Sequence, residues 1–511
     1  MIKQSKNHRR PHKAIATTRS ISDHKQQMPH ELLAKASALR DAGNLKEAEA
    51  AYRGILSTYP GHTGIMRLLA IVCTRRGNVD ESVRLLESAI AIGPPSAEAY
   101  YDLGCGMGQL KRYEAALANY DKAIAVKAKF AEAHNNRTNV LYRLGRYEEA
   151  LASSDKTIVV SPSGAMIWHN RGLILYQLGR YYEAAACFDR ALALAPDYPE
   201  ADLYRSIISL MLGHFEEGWK SYEWRWHSAQ AGGRRTFVQP LWLGKELLVD
   251  KRIVLYAEQG LGDTIQFCRY AATLERLGAT VILEVQDPLV KLLTSLQGSV
   301  TVIAKGKKFP EYDFHCPLMS LPLALGTTLS TIPAEAPYLY PEPENREAWR
   351  KHLGPKTKPR VGLIWSGAAK HVNDRNRSIP VEMLAPLLQL DCEYHSIQKD
   401  VRSGDVEWLA NNKIAPHGGR LRDFVDTASL VCEMDVIISV DTAVAHLAGA
   451  LGKRVWILLP FVPDWRWMIK REDSPWYPSA RLFRQPAIGD WHSVIETLKA
   501  ELASTAPAFI P

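Results

Sequence analysis

At 511 residues, 46% apolar and 23% charged, the chain has the make-up of an ordinary globular protein and is too long for a single core. Its formal charge of +8 sits mostly in residues 1–28, where seven Lys/Arg meet one Asp; only +2 remains for the rest, which argues against a nucleic-acid-binding body. No apolar run approaches the ~20 residues needed to span a bilayer, and the basic start lacks the apolar centre of a secretory signal. A cytoplasmic protein is expected, with at most peripheral membrane contact. Residues 1–28 read as a disordered tail. The cysteines at 73, 105, 187, 268, 316, 392 and 432 stand singly, with no CxxC pair, so reduced thiols are expected rather than a disulfide framework or a zinc site.

From residue 29 a period of 34 governs the chain. Steps of 34 give small residues at Ala48, Ser82, Ala116, Ala150, Ala184 and Gly218. They give glycines at 43, 77, 145, 179 and 213, with Lys111 the exception, and prolines at 60, 94, 162 and 196. Large residues recur at Tyr52, Leu86, Tyr120, Phe188 and Tyr222, with Ser154 in the fourth unit. This is the arithmetic of stacked antiparallel helix pairs: glycine closes the first helix, the small residue lets the helices approach, and proline ends the second. Residues 29–226 resemble a tetratricopeptide-repeat (TPR) superhelix of five full repeats and a partial sixth. The sixth position of successive repeats reads Asp102, Asn136, Asn170. The arm resembles that of O-GlcNAc transferases, whose asparagines at this position grip an acceptor's backbone, so these three are candidates for a peptide groove. Asn is also simply common there, and Ala34 and Leu68 interrupt the ladder.

After GHFEEGWKSYEWRW the period dies and strands alternate with helices. RIVLYA, TVILEV and VTVIA read as buried strands. TIQFCRYAATLERLG reads as a helix capped by Gly278, and DPLVKLLTSL as another. Together they make a βαβαβ unit in residues 227–350. A Pro-rich linker over 336–359 leads to a second series in 351–511: strands RVGLIW, YHSIQ, DVIISV and VWILL, with helices VEMLAPLLQL, DFVDTASLVCEM and TAVAHLAGAL. A last helix, about 490–503, is placed to cross back. The expected fold class is an α-solenoid followed by two Rossmann-like α/β lobes around a cleft.

Ligands of open parallel sheets bind outside the carboxyl ends of strands, and three motifs lie there. In SVDTAVAHLAG, Asp441 or Thr442 caps a helix whose first turn, beside small Ala443, could cradle phosphate, with His446 on the same face as Thr442; a capped helix with a core histidine is the plain alternative. In WSGAAKHVNDRNRSIP, Gly367 precedes a basic loop carrying Lys370, His371, Arg375 and Arg377, which with Lys399 would suit a leaving nucleoside diphosphate or else form a solvated face. In AEQGLGD, Gln259, Gly260 and Gly262 shape a tight acceptor-side loop; Asp263 is a candidate general base or an ordinary helix cap, and Glu258 is the second candidate. No DxD triplet occurs, so neutralisation by cations and helix dipole rather than by a metal is expected. Neither GxGxxG nor GxxxxGK[ST] is present, which argues against nicotinamide or P-loop chemistry. The aromatic run PDWRWMIKREDSPWYP either walls the donor pocket with Trp465, Trp467, Trp476 and Tyr477 or staples its loop to the core, and Asp464 and Arg466 are further donor-side candidates.

The GD of EQGLGD and DTAVAHLAGALGKRVWILLP make the carboxyl-terminal half similar to the bacterial ADP-heptosyltransferase family (glycosyltransferase family 9), metal-independent inverting enzymes of the GT-B fold. By that resemblance Asp263 is the base, and Asp441, Thr442, Ala443 and His446 line the donor phosphates; Ala443 stands where those enzymes usually carry glycine. The whole chain looks like a group of bacterial TPR proteins sharing EEGWKSYEWRW, EQGLGDTIQFCRY, DRNRSIP and PDWRWM, a layout similar to O-GlcNAc transferases and TPR-bearing flagellin glycosyltransferases. The resemblance implies transfer of a sugar from a nucleotide-sugar to a protein or glycan hydroxyl, with no other cofactor. The competing reading is a TPR scaffold whose transferase-like part is inactive.

Overall fold

The computed structural model describes residues 30–94, 96–227, 234–371 and 373–509; the basic leader, 1–28, lies outside the described residues. The chain divides into two compact units, Met1–Leu144 and Gly145–Pro511, so the division falls within the repeats rather than at their end.

The first unit holds α1 (His30–Asp41), α2 (Leu45–Thr58), α3 (Thr63–Arg75), α4 (Val79–Ile92), α5 (Ala97–Gln109), α6 (Tyr113–Val126) and α7 (Ala131–Arg143). The glycines of the 34-residue step, 43 and 77, are left-handed at φ 82° and 87°, and Lys111, which replaces a third, takes the same turn at φ 58°. The small-residue positions Ala48, Ser82 and Ala116 are buried to 1% or less.

The second unit opens with the remaining repeat helices, α8 (Tyr147–Val160), α9 (Ala165–Gln177), α10 (Tyr181–Leu194), α11 (Pro199–Met211) and α12 (Phe215–Tyr222). On α9, Gly172 faces Phe188 so closely that a Cβ would lie 2.7 Å from the ring. Gly172→Ala should therefore cost about 1–3 kcal/mol by overpacking, read as a fall in denaturation midpoint at unchanged m-value.

Two parallel sheets follow. The first has the order β3-β2-β1-β4, from β1 (Arg252–Tyr256), β2 (Thr280–Val285), β3 (Thr301–Ala304) and β4 (Phe314–Pro317). Its helices are α13 (Leu261–Phe267), α14 (Tyr270–Arg276), α15 (Asp287–Leu293) and the short α16 (Leu321–Ala324). The second sheet has the order β10-β9-β8-β5-β6-β7. Its strands are β5 (Arg360–Ile364), β6 (Glu393–Ser396), β7 (Ala415–Pro416), β8 (Val436–Val440), β9 (Val455–Leu459) and β10 (Ala480–Arg484). Around it lie α17 (Pro343–Leu353), α18 (Asp374–Arg377), α19 (Asp405–Asn411), α20 (Phe424–Cys432), α21 (Ala443–Ala450) and α22 (Trp491–Thr505). β5, β8 and β9 are buried along their whole length, as strands covered on both faces must be.

Four expectations need correction. TIQFCRYAATLERLG is two helices, α13 and α14, broken at Cys268–Arg269 where the Arg269 side chain turns back onto the Gln266 carbonyl; Gly278, left-handed at φ 88°, does follow the second. VEMLAPLLQL forms a 3₁₀ segment, Val381–Gln389, because Pro386 lacks the N–H an α-helix needs. The linker 336–359 contains α17, which starts on Pro343 and buries Trp349. The last helix, α22, does not cross back: Trp491, Val494, Ile495, Leu498 and Leu502 join the core of the second sheet.

Candidate functional site

Strand ends from both sheets meet at one place. α13 follows β1 and α21 follows β8, and their first turns touch: a Cβ on Gly262 would lie 2.8 Å from His446 Cδ2 and 3.4 Å from Ala443 Cα. Only glycine permits this approach without displacing His446. The turn after β9 supplies Asp464, which caps the Trp465–Trp467 turn by accepting the Arg466 N–H.

Asp263 accepts the Gly260 N–H at 2.7 Å, closing the first turn of α13, and forms an ion pair with Arg466. Arg466 is the hub: it also holds Asp464 at 2.8 Å and the Gln266 side chain at 2.9 Å, and it lies over the Trp465 ring. Burial pushes the Asp263 carboxyl up, Arg466 pulls it down and Asp464 pushes it up again, the net direction being upward. A raised carboxylate still reachable from solvent (side chain 21% exposed) suits a group that must take a proton.

Across from it, Asp441 directly follows β8 and lies 3.9 Å from His446 Nε2, while His446 Nδ1 meets the Tyr477 hydroxyl at 3.0 Å. The imidazole stacks on Trp467 at 5.1 Å. Gly449, one turn along α21, leaves room for the Tyr477 ring that a Cβ would strike. Burial foremost, with Arg466 and Arg269 nearby, holds His446 well below its usual range, so it is neutral at pH 7. Asp441 is raised to about 6, by burial first and then by Asp464, against Arg377 and Arg466.

Asp441 therefore binds its proton more tightly folded than unfolded, where an Asp titrates near ~3.9. Its contribution to stability falls as pH rises from about 4 through 6 and is level above. Asp441→Asn lacks this loss. Its melting temperature relative to the native chain should rise between pH 4.5 and 6.5 and then stay constant.

The basic loop is only partly at the site. Arg377 donates to the Asp441 carbonyl at 2.9 Å, and Gly367 makes room for its guanidinium, with which a Cβ would overlap. Thr442 stands at the N-cap position of α21 in extended conformation but makes no side-chain cap hydrogen bond, contrary to expectation; its hydroxyl meets that of Ser439 at 3.2 Å. Lys370 and Arg375 are exposed. His371 lies within electrostatic reach of Arg377, Asp464 and Asp263. Lys399 is turned away: its ammonium donates to the Arg422 carbonyl at 3.4 Å, and it does not join the cluster.

Glu258 is likewise not placed as a base. It is ion-paired with buried Arg225 at 3.0 Å and accepts the Met319 N–H, in a network that includes Glu223 and Ser320. A carboxylate so engaged anchors the end of the repeats to the first sheet. Gln259 is exposed and its carbonyl accepts from Gln286. Trp465, Trp467, Trp476 and Tyr477 are all 3% exposed or less, so the aromatic run staples its turn to the core rather than walling a pocket. Part of what they meet is the last repeat: Trp219 packs edge-on against Trp465 at 5.2 Å and donates to the Thr327 carbonyl. In the peptide-groove positions, Asp102 is ion-paired with Arg67, Asn136 donates to Tyr101 and Cys105, and Asn170 lies on α9. Sequence reasoning picked out both segments but missed Tyr477 as the partner of His446 and Arg269 as its neighbour, because the pairing runs between distant parts of the chain.

Tetratricopeptide-repeat models match residues 39–103 and 138–209, and a TPR-repeat model matches 109–145. The helical region is thus a TPR solenoid, followed by the parallel-sheet α/β region. The chain is 27% identical over 331 residues to Protein FlbA of Caulobacter vibrioides, covering 59% of this chain and 54% of FlbA, so it spans about half the length of that curated relative. Among solved structures it is similar to MamA (25% identity, 32% of this chain and 94% of that one, TM-score 0.31). It is also similar to YrrB, a TPR protein with an unusual peptide-binding site (21% identity, 33% and 88%, TM-score 0.31).

Proposed function

We propose that the chain is a metal-independent glycosyltransferase of the GT-B type that moves a sugar from a nucleotide-sugar to an acceptor hydroxyl, on a protein selected by the TPR solenoid or on a cell-surface glycan. The observation that carries this reading is the meeting of Asp263, Asp441 and Asp464 with Arg466 and Arg377 at the strand ends of two parallel sheets. In the reaction, the acceptor oxygen attacks the anomeric carbon while Asp263 takes its proton, and the bond to the diphosphate breaks. Arg377, Lys370 and the free N–H groups of the α21 first turn receive the departing charge. Arg466 holds the Asp263 carboxylate in place between substrates.

A second reading is a TPR scaffold with an inactive transferase-like part. It is favoured by Ala443 in place of glycine and by Arg466 already occupying Asp263. Incubation with a panel of nucleotide-sugars, following release of nucleoside diphosphate, separates the two. Turnover of one donor supports the enzyme; no turnover of any donor, in the presence of cell-extract acceptors, favours the scaffold.

A further inference from the structure

Away from that site, the turn after Met468, strand β10 and helix α22 enclose a groove of about 450 Å³. Its walls carry Lys470, Arg471, Arg481 and Arg484 against one carboxylate, Glu472, with Val494 among the apolar residues beneath. Arg471 is paired with Asp473 and Arg481 with Glu501, so two of these cations are spoken for. Glu472 also faces Arg481, at 3.7 Å, and among the described residues no ion pair involves Lys470 or Arg484.

Arg484 is the more telling of the two. It donates from Nε to the Arg471 carbonyl at 2.9 Å and from Nη2 to the Trp467 carbonyl, using two of a guanidinium's five N–H groups. Among the described residues its Nη1 makes no hydrogen bond, and Arg484 lines the groove. The turn it braces is held in an uncommon shape, with Met468 and Lys470 both left-handed at φ 54° and 53°. Burial foremost, with Arg471 beside it, holds Arg484 down to about 10 against the opposing influence of Tyr181, as expected of a cation lacking its counter-charge.

We propose that this groove is an anion site that takes a phosphoryl group, free or esterified to a larger molecule, between Arg484 and Lys470. Planar guanidinium donors and a mobile ammonium on one wall match the oxygens of a phosphoryl group, and the groove is large enough to admit what that group is attached to. The inference does not rest on glycosyl transfer.

The test uses the full chain, titrated by calorimetry and thermal shift with inorganic phosphate and with a hexose 6-phosphate, against sodium chloride at matched ionic strength. Saturable binding is expected, weakened about tenfold in Lys470→Ala and lost in Arg484→Gln. Lys470→Ala leaves the Arg484 brace intact and so decides the matter should Arg484→Gln fail to fold. Tighter binding of the ester assigns a phosphorylated ligand, and equal binding assigns free phosphate; either sustains the site. No response beyond chloride, or binding that survives Lys470→Ala unchanged, overturns it.

Discussion

Asp263→Asn should lower turnover of the donor by about 10²–10⁴-fold while leaving affinity for its nucleoside diphosphate unchanged. The amide keeps the size of the carboxylate and can still accept the Gly260 N–H, so the first turn of α13 survives. What it loses is the ability to take a proton. Arg466 loses one anion but retains Asp464 at 2.8 Å, so no unpaired buried cation is created. The nucleotide, held from the β8 and β5 side, has no contact with position 263 in this account. A parallel fall in nucleotide affinity would mean that Asp263 is structural; full retention of turnover would remove it as the base.

Arg225→Met should be the most destabilising substitution outside the hydrophobic core, by about 3–5 kcal/mol. Arg225 is 4% exposed and sits among Glu258, Glu223 and the Ser320 hydroxyl, over the rings of Tyr222 and Trp226. Removing it strands Glu258, nearly as buried as the arginine itself, while Glu223 keeps its ion pair with Arg234 at 3.2 Å. The double variant Arg225→Met, Glu258→Gln should regain much of the loss, because the second change removes the uncompensated charge. Chemical denaturation of the two variants measures this directly. Glu258→Gln alone should leave turnover far nearer to native than Asp263→Asn does, which separates an anchoring carboxylate from a catalytic one.

The repeats were readable because each is local: a glycine turn, a small contact residue and a proline recur within 34 residues, and even Lys111 adopts the left-handed turn its position demands. The parallel strands were readable for a similar reason, since VWILL is apolar throughout and VIISV is apolar but for Ser439. Helix breaks depended on side chains, such as Arg269 folding back at the α13–α14 junction, that periodicity does not register. The candidate site was legible only in halves. Asp263 and Asp441 announce themselves at strand ends, but Arg466 meets Asp263 across 203 residues of sequence, and nothing in PDWRWM says which acid it will choose. Glu258 and Lys399 failed for the same reason. Their positions in sequence suit a ligand, while Arg225 and the Arg422 carbonyl, which engage them, are visible only in three dimensions.

The proposed function requires the paired strand ends to form a nucleotide-sugar pocket. Calorimetric titration of the purified protein with UDP, GDP, ADP, dTDP and CMP tests it most directly, alongside an Asp441→Ala, His446→Ala variant. One nucleotide should bind selectively to the native protein, and the variant, still folded, should lose that binding. A well-folded native protein that binds none of them would contradict it.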